Sequence, residues 1–110
     1  MRILLDECVP ARLQREFPGH EVRTVPQAGW AGISNGKLLR LIAASGRFDL
    51  FLTVDKKLPH QQKIQSLPFP IVLLRAQSND IASLRQLVPE LLRRLPGLKP
   101  GQVMMVGQPD

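Results

Sequence analysis

Two acidic points follow directly on short apolar runs. Arg2 to Leu5 is ended by Asp6 and Glu7, and the run from Asp49 to Thr53 passes through Val54 into Asp55. Apolar runs of this length read as strands buried on both faces of a parallel sheet, so both acids leave strand ends. Adjacent strands lie about 4.8 Å apart. If these two are neighbours, their carboxylates share one edge of the sheet and can hold a hard cation such as Mg2+ or Mn2+ through oxygen ligands. Asp6, Asp55 and Glu7 are therefore the candidate metal ligands, and Asp6 and Asp55 the candidate catalytic pair. Asp6 and Glu7 are consecutive and point in roughly opposite directions, so one of the two is expected to reach the ion. Asp49 is excluded, because it begins the strand that Asp55 follows, and six residues at about 3.3 Å each place it roughly 20 Å away. Structural roles are open to the same acids: Asp6 as a cap on the helix that follows, and Asp55 as a turn former before Lys56 and Lys57.

Weaker candidates surround this pair. Asn35 offers an amide oxygen to the site or a cap to a helix. His60, Gln61 and Gln62 follow Asp55 on a short helix, where they contact substrate or simply face solvent. Trp30, in a glycine-rich loop, stacks a base or anchors the loop on the core. Cys8 has no companion His–Cys pattern for zinc, and Asp80 favours the start of a helix.

The elements that must position these residues alternate between strand and helix. Pro10 opens a helix through PARLQREF, stopped by Pro18-Gly19, and His20 to Val25 is a second strand. Ser34-Asn35 signals a helix carrying Leu38, Leu39, Leu41 and Ile42, ended by Gly46. Asp49 to Thr53 is the third strand, Pro59 opens a short polar helix through Gln65, and Pro70 to Leu74 is the fourth strand. Asp80 then precedes a helical series of Ile81, Leu84, Val88, Leu91 and Leu95, which Pro89 kinks or splits, and Gln102 to Val106 is the last strand. This order predicts an α/β fold with a mainly parallel sheet covered on both faces, its site outside the carboxyl ends of the strands where strand order reverses.

Length and composition set outer limits. The chain has 110 residues, of which 44% are apolar and 22% charged, so one globular domain with an aliphatic core is expected. The single cysteine forms no internal disulfide, the segment MRILLDE lacks a secretory apolar region, and no apolar run reaches the roughly 20 residues of a membrane span. A cytoplasmic protein without membrane attachment is expected. Net charge is +6, with basic residues spread along the chain, which favours polyanions such as RNA or an acidic protein partner.

The stretches ILLDECVP, GHEVRTV, GWAGISNGKLL, FDLFLTVDKKLPHQQ, PIVLLRAQSN and PGQVMMV resemble, in order and spacing over nearly the whole chain, a family of small PIN-like proteins of unknown function grouped with VapC-type toxins. The resemblance implies a single PIN-like domain over residues 1–107, with 108–110 a tail, and a mainly parallel sheet of four to five strands flanked by helices. It also implies a metal-dependent endoribonuclease activity with Mg2+ or Mn2+, RNA as substrate, and a small antitoxin partner in a toxin–antitoxin pair. A homodimer is a further expectation from family habit. Asp6 matches the first metal-binding acid, and Asp55 in TVDKKL the acid after the central strand. Two positions depart. Family members commonly carry Glu within the NGxLL segment where this chain has Lys37, and many PIN domains have an acid just after the Asp55 position, where Lys56 and Lys57 stand. An ammonium in place of an anion weakens metal binding, while Lys37, Lys56, Lys57, Asn35 and His60 remain candidates for contact with a phosphate-bearing substrate. The alternative is a non-catalytic PIN-like module that binds RNA or a protein partner. A flavodoxin-like nucleotide-binding protein is disfavoured, since no phosphate-cradling G-x-G-x-x-G or Walker pattern occurs.

Overall fold

Alternation along each strand decides what the sheet buries. In a strand, successive side chains leave opposite faces, and the first run, RILL, sends Ile3 and Leu5 to one face and Leu4 to the other, all three fully buried. The computed structural model describes residues 1–61 and 63–108. It contains five strands, β1 (Arg2–Leu5), β2 (Glu21–Thr24), β3 (Leu50–Thr53), β4 (Ile71–Arg75) and β5 (Val103–Gly107), in one sheet of order β2-β1-β3-β4-β5. Every neighbouring pair is parallel. The α/β architecture read from the sequence is thus observed, with a wholly parallel sheet.

Helices cover both faces. On one side lie a 3-10 helix, Ala11–Glu16, and the helices α3 (Ile81–Arg85) and α4 (Val88–Arg94), whose Leu13, Leu84, Val88 and Leu91 pack on Leu5, Leu52, Val72 and Val106. On the other side α1 (Asn35–Ser45) and α2 (Leu58–Gln61) place Leu38, Leu39, Ile42 and Leu58 on Leu4, Phe51 and Ile71. Each such fully buried aliphatic side chain stabilises the fold by about 1.5–3 kcal/mol relative to exposure. Among the described residues no helix is long and apolar enough to cross a membrane.

Local chemistry explains where the elements stop and where they differ from expectation. The segment opened by Pro10 winds as a 3-10 helix, with Pro10 itself in extended conformation before it. α1 ends where Gly46 takes φ +61°, a left-handed conformation that glycine enters without a Cβ penalty. Asp80 caps α3 by accepting from the Ser83 N–H at 2.8 Å, and that backbone hydrogen bond, followed by the Ser83 and Ser78 side chains, holds its carboxyl below the ordinary value. Pro89 divides the last helical stretch into α3 and α4 by sitting in the first turn of α4, where a missing N–H does no harm. The helix after Asp55 is short and ends at Gln61, and Gln62 lies outside the described residues. Gln108, assigned to a tail, still donates its N–H to the Arg75 carbonyl at 2.7 Å, while residues 109–110 lie outside the described residues.

Gly107 closes β5 with φ +112° and its α-carbon against the Arg75 carbonyl, which a Cβ would strike. Gly107→Ala should therefore lower stability by about 1–3 kcal/mol through backbone strain, read as a drop in urea midpoint with an unchanged slope; an unaltered midpoint would show that the turn relaxes freely.

Candidate functional site

The strand order runs outward from β1 in both directions, to β2 on one side and β3 on the other. The crevice outside the carboxyl ends of β1 and β3 is the switch point at which ligands bind in open parallel sheets. Pairing of Leu5 with Leu52 sets the register. The Asp6 N–H continues the ladder by donating to the Leu52 carbonyl at 2.9 Å, which brings Asp6 beside Thr53.

Thr53 joins the two acids. Its buried hydroxyl donates to Asp6 Oδ2 at 2.7 Å and accepts from the Asp55 N–H at 3.0 Å. A hydroxyl has one proton and two lone pairs, so it answers both residues at once. Asp6 is only 7% exposed, and a buried carboxylate needs donors to replace lost water. It has three, since the Glu7 N–H reaches Oδ1 at 2.8 Å and the Cys8 thiol donates to Oδ2 at 3.4 Å. Asp55 is half-buried and accepts from the Lys57 N–H at 2.9 Å and from Asn35 Nδ2 at 3.1 Å.

A carboxylate offers about four acceptor positions. The contacts above leave lone pairs on Asp6 Oδ1 and on both oxygens of Asp55. Hard, partly unsatisfied oxygens at neighbouring strand ends suit Mg2+ or Mn2+ with water completing the shell. Among the described residues no group of three or more His, Cys, Asp and Glu side chains is placed to hold a metal ion. Asp6, Asp55 and Glu7 therefore do not gather as one group. Glu7, exposed, accepts from the Gly32 N–H at 2.7 Å and ties the glycine-rich loop to the end of β1.

Several structural roles weighed from the sequence resolve differently. Asn35 is the first residue of α1, and Ser34 holds the cap position without a side-chain hydrogen bond; the Asn35 amide serves Asp55 instead. Asp6 makes no cap to the 3-10 helix, whose N-cap is Pro10. Lys37 is exposed and two residues beyond Asn35 on α1, and residues so spaced leave a helix on different faces. Lys56, Lys57 and His60 are all exposed just after Asp55. Of Gln61 only the backbone is described. Trp30 anchors its loop, edge-on to Phe48 at 6.0 Å with the Arg47 guanidinium 5.2 Å from its ring centre. Asp49 lies at the opposite end of β3, paired with Arg2 at 3.1 Å. Hydrogen bonds from the Arg2 side chain and backbone hold its carboxyl below the ordinary value, so this pair supports the fold at neutral pH and loses its contribution as pH falls through that lowered value.

Thr53 is the residue that sequence reasoning missed. Its signal was present, because a hydroxyl inside the apolar run LFLT must find a partner when buried. Asp6, Glu7, Cys8, Pro10, Thr24 and Pro26 border a hollow of about 320 Å³ on the β2 side of the crevice. Cys8 is exposed as a residue, but its sulfur sits against Thr53 Oγ1 at 3.6 Å. Desolvation there, with the Asp6 charge adding to it, pushes the thiol pKa up despite opposing hydrogen bonds.

No family model matches the chain, and no curated protein or solved structure matches it either.

Thr53→Val keeps the side-chain shape and removes the shared hydroxyl. It should destabilise the protein by about 1–3 kcal/mol, because the buried Asp6 carboxylate loses a donor and the Asp55 N–H an acceptor; chemical denaturation would measure this, and a neutral outcome would mean that water replaces the hydroxyl. For Cys8, the alkylation rate by iodoacetamide should rise with pH only above the range of a free thiol. A midpoint at or below the ordinary cysteine value would contradict the desolvated position of its sulfur.

Proposed function

We propose that this protein is a PIN-like, Mg2+- or Mn2+-dependent endoribonuclease whose ion is held by Asp6 and Asp55. The supporting observation is that two acidic residues from distant parts of the sequence stand at adjacent strand ends at the sheet's switch point, with one threonine hydroxyl bonded both to the Asp6 carboxylate and to the Asp55 backbone N–H. A divalent ion held there supplies Lewis acidity toward a phosphodiester and a bound water of lowered pKa. The chain's own groups do the rest. Thr53 fixes the Asp6 carboxylate, Asn35 and the Lys57 amide fix that of Asp55, and the exposed Lys56 and Lys57 offer positive charge to an RNA backbone beside the acids. The net charge of +6 favours the same polyanion. The resemblance to VapC-type proteins extends this reading to a toxin held in check by a small antitoxin.

A second reading has its own support. Among the described residues no third carboxylate gathers with Asp6 and Asp55 to hold an ion, and on this reading the module binds RNA or a protein without cutting it. Cleavage of a mixed-sequence RNA in Mn2+ separates the two readings when the protein is compared with Asp6→Asn and Asp55→Asn. Each substitution should lower cleavage by about two orders of magnitude or more, the scale on which metal-centred electrostatic stabilisation acts, while Mn2+ binding measured by calorimetry weakens in parallel. RNA binding without cleavage in the parent protein would favour the second reading. Cleavage that survives both substitutions would remove Asp6 and Asp55 from the chemistry altogether.

A further inference from the structure

The outer edge of the sheet beside β4 is β5, and half of its backbone groups point away from β4. The Ile71 N–H donates to the Gln102 carbonyl and the Gln108 N–H to the Arg75 carbonyl. In a parallel ladder the N–H and C=O of one residue point the same way and alternate along the strand. Met104 and Val106 therefore bond to β4, while the backbone groups of Val103, Met105 and Gly107 face outward. Arg94 confirms the direction, reaching the Met105 carbonyl at 2.9 Å from outside the sheet. Side chains on the edge are also open: Val103 is 39% and Met105 56% exposed, two of the three large apolar residues with substantial exposure among the described residues. Natural edges are usually blunted by charge, proline or a bulge; VMMVG itself contains none of these, and Arg94 at the Met105 carbonyl is a charge that an added strand would displace.

Hollows flank this edge on both faces of the sheet, and Val103 borders both. On the α4 face, Arg93, Arg94 and Leu98 line one of about 690 Å³. On the α2 face, Pro59, Ile64, Lys63 and Gly101 line another of about 640 Å³. Neither is lined by an acid among the described residues, although Glu90 pairs with Arg94 at 3.0 Å. A strand added to β5 would send alternate side chains to the two faces. Carboxylates would meet the arginines on one side, and apolar groups would meet Ile64 and Val103 on the other.

We propose that the β5 edge docks an extended acidic segment of another protein, which adds to the sheet as a further strand. A second copy of this chain is the less suitable occupant, because edge-to-edge pairing would bring two sets of Arg93 and Arg94 together on molecules that each carry +6. The β5 edge uses neither Asp6 nor Asp55, although Pro59 of the α2-face hollow follows Asp55 by four positions, and the proposal stands whether or not those acids serve a nuclease.

The test uses the full chain and a short fluorescent peptide that alternates glutamate and valine, with binding followed by anisotropy. The peptide should bind, and its lysine-for-glutamate counterpart should bind about tenfold more weakly or not at all, since charge-assisted contacts are lost and repulsion is gained. Arg93→Glu, an exposed change that leaves the core untouched, should weaken binding of the acidic peptide. N-methylation of every second peptide residue gives two isomers: the one blocked on the edge facing β5 should lose binding and the other should keep it. The proposal is overturned by absence of binding, by equal binding of the lysine peptide, or by indifference to both N-methylation patterns. It is likewise overturned if sedimentation shows the chain alone dimerising through this edge, with Met105→Lys restoring the monomer.

Discussion

Parallel pairing of β1 with β3 is the constraint on which the rest of the molecule depends. Leu5 opposite Leu52 is a contact between two fully buried apolar residues, and a shift of one residue would turn every side chain of β1 to the wrong face. The same register places Asp6 beside Thr53. The acid is therefore positioned by burial of leucines rather than by any attraction of its own, and the cost of burying its charge is met by three donors. In this arrangement hydrophobic packing sets the geometry and hydrogen bonding makes that geometry tolerable to a carboxylate.

The two acids are held by different means. Asp6 is locked into the sheet end, with Glu7 and Cys8 folding back on it from the next two positions. Asp55 lies just past its strand and depends on the first residue of α1 and on the following turn. Asp6 is thus tied within the sheet end and Asp55 to the helix and turn beyond it, with the exposed Lys56 and Lys57 following directly on Asp55.

Much of this was legible in the sequence because burial leaves a periodic trace. The runs RILL and PIVLL announced interior parallel strands, and the acids following the first and third runs announced a shared sheet edge if those strands were neighbours. What remained hidden depended on pairing between distant segments. Nothing local in FLTVD says that the threonine will meet Asp6, and nothing in SNGK says that Asn35 will serve Asp55 and leave the cap position to Ser34. The 3-10 winding of Ala11–Glu16 was equally invisible, since its composition suits an α-helix. The partition of the acids, with Glu7 given to the Gly32 amide, follows from where the glycine-rich loop lands, which only the three-dimensional path of the chain decides.

The hydrogen bond from Thr53 to Asp6 spans 47 positions. Contacts of such long range form only after a large loop has closed, and this one needs β1 and β3 already side by side. An emerging or partly folded chain therefore has both carboxylates but no centre. Whatever the crevice does, it does only once the sheet is assembled, so closure of the long loop between β1 and β3 is a precondition for any role at that edge.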